Sequence, residues 1–331
     1  MTSITKKIKI SGVGIHSGLP VNMVINPSKK PGIFFKRIDL KNSQPIPATF
    51  DNVGETLMRN TTIGNKNDAH VQTIEHLMAA LFLCGIDSAI IEIDGPETPI
   101  LDGSASEFIK AFEKNIDKKT KMKKIIVKKT IIARRNELAK YMPFWKRIKT
   151  MILNHTIWRR GNGYVKLSPN ENGLLIDATL VYGDKIIGTQ SYSCLLDGTK
   201  KSIDNFVKNI SKSRTFGKYA EWGYLKAHGM ARGANEKNVI ALNENGDGTL
   251  NKLYYPDEFV RHKIIDAVGD MFTSGGFIVG HLESFKGSHA LNNLVLRKLF
   301  SDKSNLKQSV FFSLFFSFLY FIIRFIAEQF S

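Results

Sequence analysis

The feature that most constrains this chain is a switch of hydrophobic period that occurs in both of its halves. Near the amino terminus Ile4, Lys6, Ile8 and Ile10 alternate, a turn follows through Gly12, Gly14 and Gly18, and Val21, Met23 and Ile25 alternate again. Period two belongs to half-buried strands, and the glycine turn between the runs predicts an antiparallel beginning. From Val71 to Cys84 the period becomes helical: Ile74, Leu77, Met78 and Leu81 share a face, Thr73 lies near the start, and Gly85 takes the C-cap place. A strand over Ala89 to Ile93, the turn-rich DGPETPILDGSASEF and a helix from about Ser106 to Lys114 follow. After the lysine-rich segment Lys118 to Lys124, strand-like runs resume at Ile125 to Ile132, Tyr164 to Leu167 and Leu174 to Val181. A helix from Asp257 to Phe272 closes this half. The simplest architecture is α+β layering used twice. No sequence repeat at a fixed period relates the halves.

At 331 residues and 43% hydrophobic content the chain can bury the cores of two ordinary domains or one large one. Its net charge of +17 would draw phosphates, nucleic acid or anionic lipid to the surface. The basic residues concentrate between Lys114 and Arg160, whereas a uniformly basic nucleic-acid binder would spread them. Cys84 and Cys194 sit outside any CxxC spacing, which argues against a disulfide framework or a cysteine metal site and fits a reducing cytosol. MTSITKKIKISGVG has no apolar h-region, so no signal peptide is expected. The run Val310 to Ile323 is apolar except for Ser313 and Ser317 and ends against Arg324, short of the roughly 20 residues of a spanning helix.

In DEFVRHKIIDAVGD, His262 and Asp266 lie four apart, so on a helix imidazole and carboxylate project from one face toward one point. His76 would complete a His, His, Asp set with one position open for water, the catalytic form of a zinc site. Glu75, turned by about 100 degrees around its helix, would reach that water as general base rather than the metal. By spacing alone, an HxxxD pair is more often a surface or capping arrangement than a metal site.

Six ordered segments carry a resemblance: GVGIHSG (12–18), TIEHLMAAL (73–81), GPETPILDGSASEF (95–108), SRTFG (213–217), DEFVRHKIIDAVGD (257–270) and SHALNN (288–293). From about Ile4 to Leu299, omitting the centre near 134–162, the chain resembles the UDP-3-O-acyl-N-acetylglucosamine deacetylases (LpxC family) of Gram-negative bacteria. The resemblance implies two layered α+β domains of similar topology with the active site between them, over 1–120 and 125–300; the hydrophobic tail at 308–331 lies outside it. It implies hydrolysis of the N-acetyl group of UDP-3-O-acyl-N-acetylglucosamine to give UDP-3-O-acyl-glucosamine and acetate, the committed step of lipid A biosynthesis. His76, His262 and Asp266 would bind one Zn2+ per chain, a set that also accepts Fe2+. Glu75 would activate water, His289 would serve as the cationic acid held protonated by Asp270, and Thr215 would stabilise the oxyanion. Lys263 would approach the diphosphate and sugar, Phe216 would pack on the sugar, and Leu57, Met58 and the segment Tyr224 to Met230 would build the acyl passage. By the same resemblance His16 would border the site as an accessory, while His70, His155, His228 and His281 match no catalytic motif.

The stretch from Arg134 to Gly163 departs from the family as a basic insertion. With Pro143 as a helix start, Phe144, Ile148, Met151 and Ile152 share one face, Lys146, Arg147, Lys149 and Thr150 the other, and Trp145 lies at the border. Two readings remain open: residues 140–153 dock on anionic membrane, or the helix packs on its own domain. The tail is open between an interfacial anchor, a buried helix and a segment of no selected role. The chain is expected to be a cytoplasmic monomer, in peripheral contact with the inner membrane on the first of these readings, and not to bind nucleic acid. Two rivals stand beside the enzyme. One is a catalytically degenerate membrane scaffold; the other is a basic phosphate or nucleic-acid binder that stacks bases on Trp145 and Trp158.

Overall fold

The structure is a computed structural model and describes residues 4–54, 60–65, 68–113, 115–116, 122–141 and 162–308. In chain order the first half supplies β1 (Ile8–Val13), β2 (Pro20–Pro27), β3 (Gly32–Arg37), β4 (Ile46–Pro47), β5 (Ile63–Gly64), β6 (His70–Val71), helix α1 (Glu75–Leu83), β7 (Ser88–Ile93) and helix α2 (Ser106–Glu113). The second half opens with β8 (Lys124–Val127), β9 (Ile131–Arg134), β10 (Tyr164–Ser168), β11 (Leu174–Val181) and β12 (Thr189–Leu196). Helix α3 (Lys200–Asn209), β13 (Phe216–Lys218), helix α4 (Trp222–Ala227) and β14 (Ile240–Leu242) follow. It closes with helix α5 (Glu258–Phe272), β15 (Phe277–Phe285), helix α6 (His289–Phe300) and β16 (Leu306–Gln308).

The two principal sheets share one plan. The first has the order β1-β2-β7-β3-β4, and the second runs β12-β11-β15-β10-β9, with β8 paired to the start of β15 and β16 to β8. Reversed, the second order is β9-β10-β15-β11-β12, the same path. In both, the first two strands are antiparallel, and the last strand lies parallel to the third: β7 to β3 and β15 to β11. Adjacent parallel strands need a crossover, and a helix precedes the returning strand each time, α1 before β7 and α5 before β15. The expected α+β architecture is therefore present.

The alternation of β2 becomes literal: Val21, Met23 and Ile25 are buried while Pro20 and Asn22 face outward. All nine residues of α1 are buried, not one face only, because α5 and α2 pack around it. At the crossing with α5, a Cβ on Gly269 would lie 2.0 Å from the carbonyl oxygen of Glu75, so only glycine permits this approach. Burying Leu77 and Leu81 completely contributes about 1.5–3 kcal/mol each.

Several boundaries differ from the sequence expectation. Ile4 forms only an isolated bridge with Ile116, and the first strand starts at Ile8. The single run expected over Ile125 to Ile132 is two strands: β8 pairs with β15 and β16, whereas β9 pairs with β10. Between them the amides of Lys128 and Lys129 turn to the carbonyl of Asn305. Hydrophobic pattern cannot register such a change of partner. Among the described residues no helix is long and apolar enough to cross a membrane. The amphipathic part of the insertion (142–161), Trp145, Trp158, His155 and the tail from 309 lie outside the described residues.

Candidate metal centre

Helix α5 carries His262, Asp266 and Asp270 one above another, and α1 brings Glu75 and His76 in its first turn. All five are buried. His76 Nε2 lies 3.5 Å and His262 Nε2 3.4 Å from Asp266 Oδ1, and the two imidazoles meet edge to face with centroids 4.9 Å apart. One ligand atom from each of the three falls within 4.8 Å of the others, the only such group among the described residues. Asp266 Oδ1 is buried and makes no hydrogen bond among the described residues. A buried carboxylate oxygen without a donor is costly unless a cation completes it. The Nδ1 of His262 faces the carbonyl of Ser213 at 3.0 Å, which leaves Nε2 turned to the cluster. Such an outer-shell carbonyl is the usual way a ligating imidazole is oriented. The residues present thus fit a divalent metal.

The electrostatics agree. Burial drives the His262 imidazole down to about 3, so it is neutral and ready to ligate. At Asp266 burial works against ionisation, but Lys263, His262 and His289 overcome it and hold the carboxyl well below its ordinary value. Lys263 Nζ sits 2.6 Å from Asp266 Oδ2 and 5.6 Å from the centroid of the Phe216 ring.

Beside the ligands lies a second group. Burial raises the Glu75 carboxyl, and the nearby His289 and His76 counter this in part. Glu75 Oε2 accepts the backbone N–H of Thr61 at 2.9 Å, and Oε1 is 4.0 Å from His289 Nε2. His289 Nδ1 lies 2.8 Å from Asp270 Oδ2 at the N-terminus of α6. Burial alone would lower this imidazole, yet Asp270, Asp266 and Glu75 outweigh it and lift it to about 9. Asp270 is held in turn by the Thr61 hydroxyl at 2.5 Å and by Asn292 Nδ2 at 2.8 Å. A buried carboxyl raised by desolvation and an imidazole held cationic by its carboxylate neighbours therefore flank the candidate ligand group.

The SRTFG segment is fastened to α5 by a buried ion pair, in which Arg214 gives its backbone N–H and guanidinium to Glu258 at 3.0 Å. Thr215 is pinned through its backbone to Gly103 and Ile240, and Phe216 packs edge-on against Phe259 and His262. Lys263, Asp266, His289 and Asn292 line one small pocket with Ala178, Leu180 and Ser288. Leu57 and Met58 lie outside the described residues. In the segment Tyr224 to Met230, Tyr224 is exposed and stacks on His228. His16 is tied to Glu97 through its backbone N–H and to Ala231 through its ring. His281 pairs with Asp177 at 2.7 Å on the outer face of the second sheet.

Sequence reasoning missed Thr61, Ser213 and Asn292, which contact the candidate site residues. Ser213 and Asn292 fall inside quoted motifs, so the motifs held the signal; Thr61 stands in NTT, which has no periodicity or spacing to single it out.

The family model described as UDP-3-O-acyl N-acetylglycosamine deacetylase (LpxC) matches residues 1–301. The chain is 35% identical over 306 residues to the UDP-3-O-acyl-N-acetylglucosamine deacetylase of Shewanella pealeana, covering 91% of this chain and 90% of that protein. The enzymes of the same name from Shewanella frigidimarina and Shewanella halifaxensis are 36% and 35% identical over the same shares.

Proposed function

The chain belongs to the UDP-3-O-acyl N-acetylglycosamine deacetylase family, and on that premise we propose that it is a metal-dependent amidohydrolase whose centre is the Glu75, His76, His262, Asp266, His289 group. The substrate on this reading is UDP-3-O-acyl-N-acetylglucosamine, the products are UDP-3-O-acyl-glucosamine and acetate, and the pathway is lipid A biosynthesis. The observation that carries it is the convergence of a base, a cationic acid and three ligands in one buried cluster.

His76, His262 and Asp266 would hold the ion, with Zn2+ the natural occupant and Fe2+ an alternative. When bound, the ion supplies a Lewis acid that acidifies water and polarises the acetamide carbonyl. Glu75, oriented by the Thr61 amide, accepts the proton of the attacking water. As the carbon–nitrogen bond breaks, His289 Nε2 donates its proton to the leaving amine, and Asp270 on Nδ1 keeps that proton available. The Thr215 hydroxyl donates to the developing oxyanion, a contact stronger in the transition state than to the flat amide. Lys263 meets the diphosphate side of the substrate and Phe216 its sugar, with Leu57 and Met58 on the acyl side.

The test is acetate release from UDP-3-O-(3-hydroxyacyl)-N-acetylglucosamine by the purified protein, with Glu75→Ala beside it. Wild-type turnover reduced roughly 10²–10⁴-fold in the variant supports the reaction and the base. Absence of turnover in metal-replete wild type overturns the proposal.

A further inference from the structure

Thr73 is a β-branched residue in the left-handed region, with φ +59, two positions before the base. Such a conformation is a genuine outlier for threonine and persists only where its surroundings over-determine it. Glycine would accept this φ at no steric cost, so the threonine side chain must do something glycine cannot.

Its contacts say what. The Thr73 hydroxyl accepts from Asn60 Nδ2 at 2.9 Å and donates to Glu97 Oε1 at 2.7 Å. The Thr98 hydroxyl donates to the Thr73 carbonyl. Asn60, Thr73, Glu97 and Thr98 are all buried, so each bond is made away from water and its loss leaves an unpaired group. Glu97 also accepts the amides of His16 and Ser17, which ties the clamp to the GVGIHSG loop on the other side.

The clamp bears on the site through the start of α1. Ile74 occupies the N-cap position without a side-chain cap, so no side chain at the helix end sets its direction. The direction comes from the turn at Thr73. Ile74 N–H bonds the Thr61 carbonyl, and the Thr61 amide bonds the Glu75 carboxylate, so segments 60–61 and 73–75 are laced together. We propose that Thr73 is a positioning residue: its strained turn, held by Asn60, Glu97 and Thr98, aims the first turn of α1 so that Glu75 and His76 meet the ligands of α5. This rests on the metal-centre reading above.

The experiment measures Zn2+ retention by competition with a chelator, together with kcat and KM, for wild type, Thr73→Val, Thr73→Ser and Thr73→Gly. Ile25→Val, a core change remote from the site in the first sheet, is the stability control. Thr73→Val should hold Zn2+ about 10–100-fold less tightly and lose kcat rather than gain KM, the scale of losing an outer-shell partner. Thr73→Ser should recover both. If Thr73→Val does not fold, Thr73→Gly, which accepts the backbone angle but lacks the hydroxyl, should fold and show the same weakened Zn2+ retention. Wild-type affinity and kcat in a folded Val or Gly variant overturn the proposal, as does an equal loss in Ile25→Val. A wild type that neither retains Zn2+ nor turns over overturns the metal-centre reading, and this inference with it.

Discussion

Helices α1 and α5 occupy corresponding places in two sheets of the same strand order, yet they load the site differently. Helix α5 has 15 residues and spaces His262, Asp266 and Asp270 along one face, where helical geometry alone keeps them in line. Helix α1 has nine residues and presents Glu75 and His76 consecutively in its first turn, where periodicity places them on different faces and only surrounding contacts aim them. The duplicated frame thus supplies two crossing helices, and the chemistry depends on where along each helix the polar residues fall. One helix is a ruler; the other is a pointer that must be held.

The largest effect is expected from His262→Ala, compared with His76→Ala. Each should abolish stoichiometric metal binding, read by metal analysis after gel filtration, and lower turnover by at least about 10³-fold, since a three-ligand site has no spare donor. Full metal occupancy in either variant would break the symmetry of the two helices at the centre.

Next comes Asp270→Asn. Without its carboxylate partner His289 should fall from about 9 toward its ordinary value, and the alkaline limb of kcat/KM should move to lower pH. The raised His289 value also contributes stability that is fully present below about pH 6.5 and is lost as pH rises through about 9. That alkaline loss should shrink in the variant, measured by thermal denaturation across pH. An unmoved alkaline limb would remove His289 from the acid role.

Gly269→Ala addresses the crossing itself. The added methyl collides with the Glu75 carbonyl, and separating the helices should cost about 1–3 kcal/mol in urea denaturation. A neutral result would show the crossing to be slack. The smallest effect is expected at His281→Ala, whose pair with Asp177 is on the outer face: within about 0.5 kcal/mol, with unchanged turnover.

The contrast of ruler and pointer also separates what was legible. The α5 motif announced its own geometry, because four-residue spacing on a helix is a local rule. The strand β2 was equally readable from alternation, and a strand over Ala89 to Ile93 was expected where β7 runs. Helix α6 was not singled out as a helix, although SHALNN starts it with Ser288 accepting from the Leu291 amide. The split of β8 from β9 escaped because both are apolar and differ only in which strands they meet.

By itself, the sequence determined the α+β class, the helical face of His262, Asp266 and Asp270, and, through its ordered motifs, the family. Period and spacing are local quantities, and local quantities survive in one dimension. Only the tertiary structure decided that Glu75 and His76 reach that face, that Thr61 joins Glu75 to Asp270, and that Thr73 adopts a left-handed turn. Those outcomes depend on contacts between residues far apart in the chain, such as Thr61 with Asp270 and Gly269 with Glu75, and no local pattern encodes them.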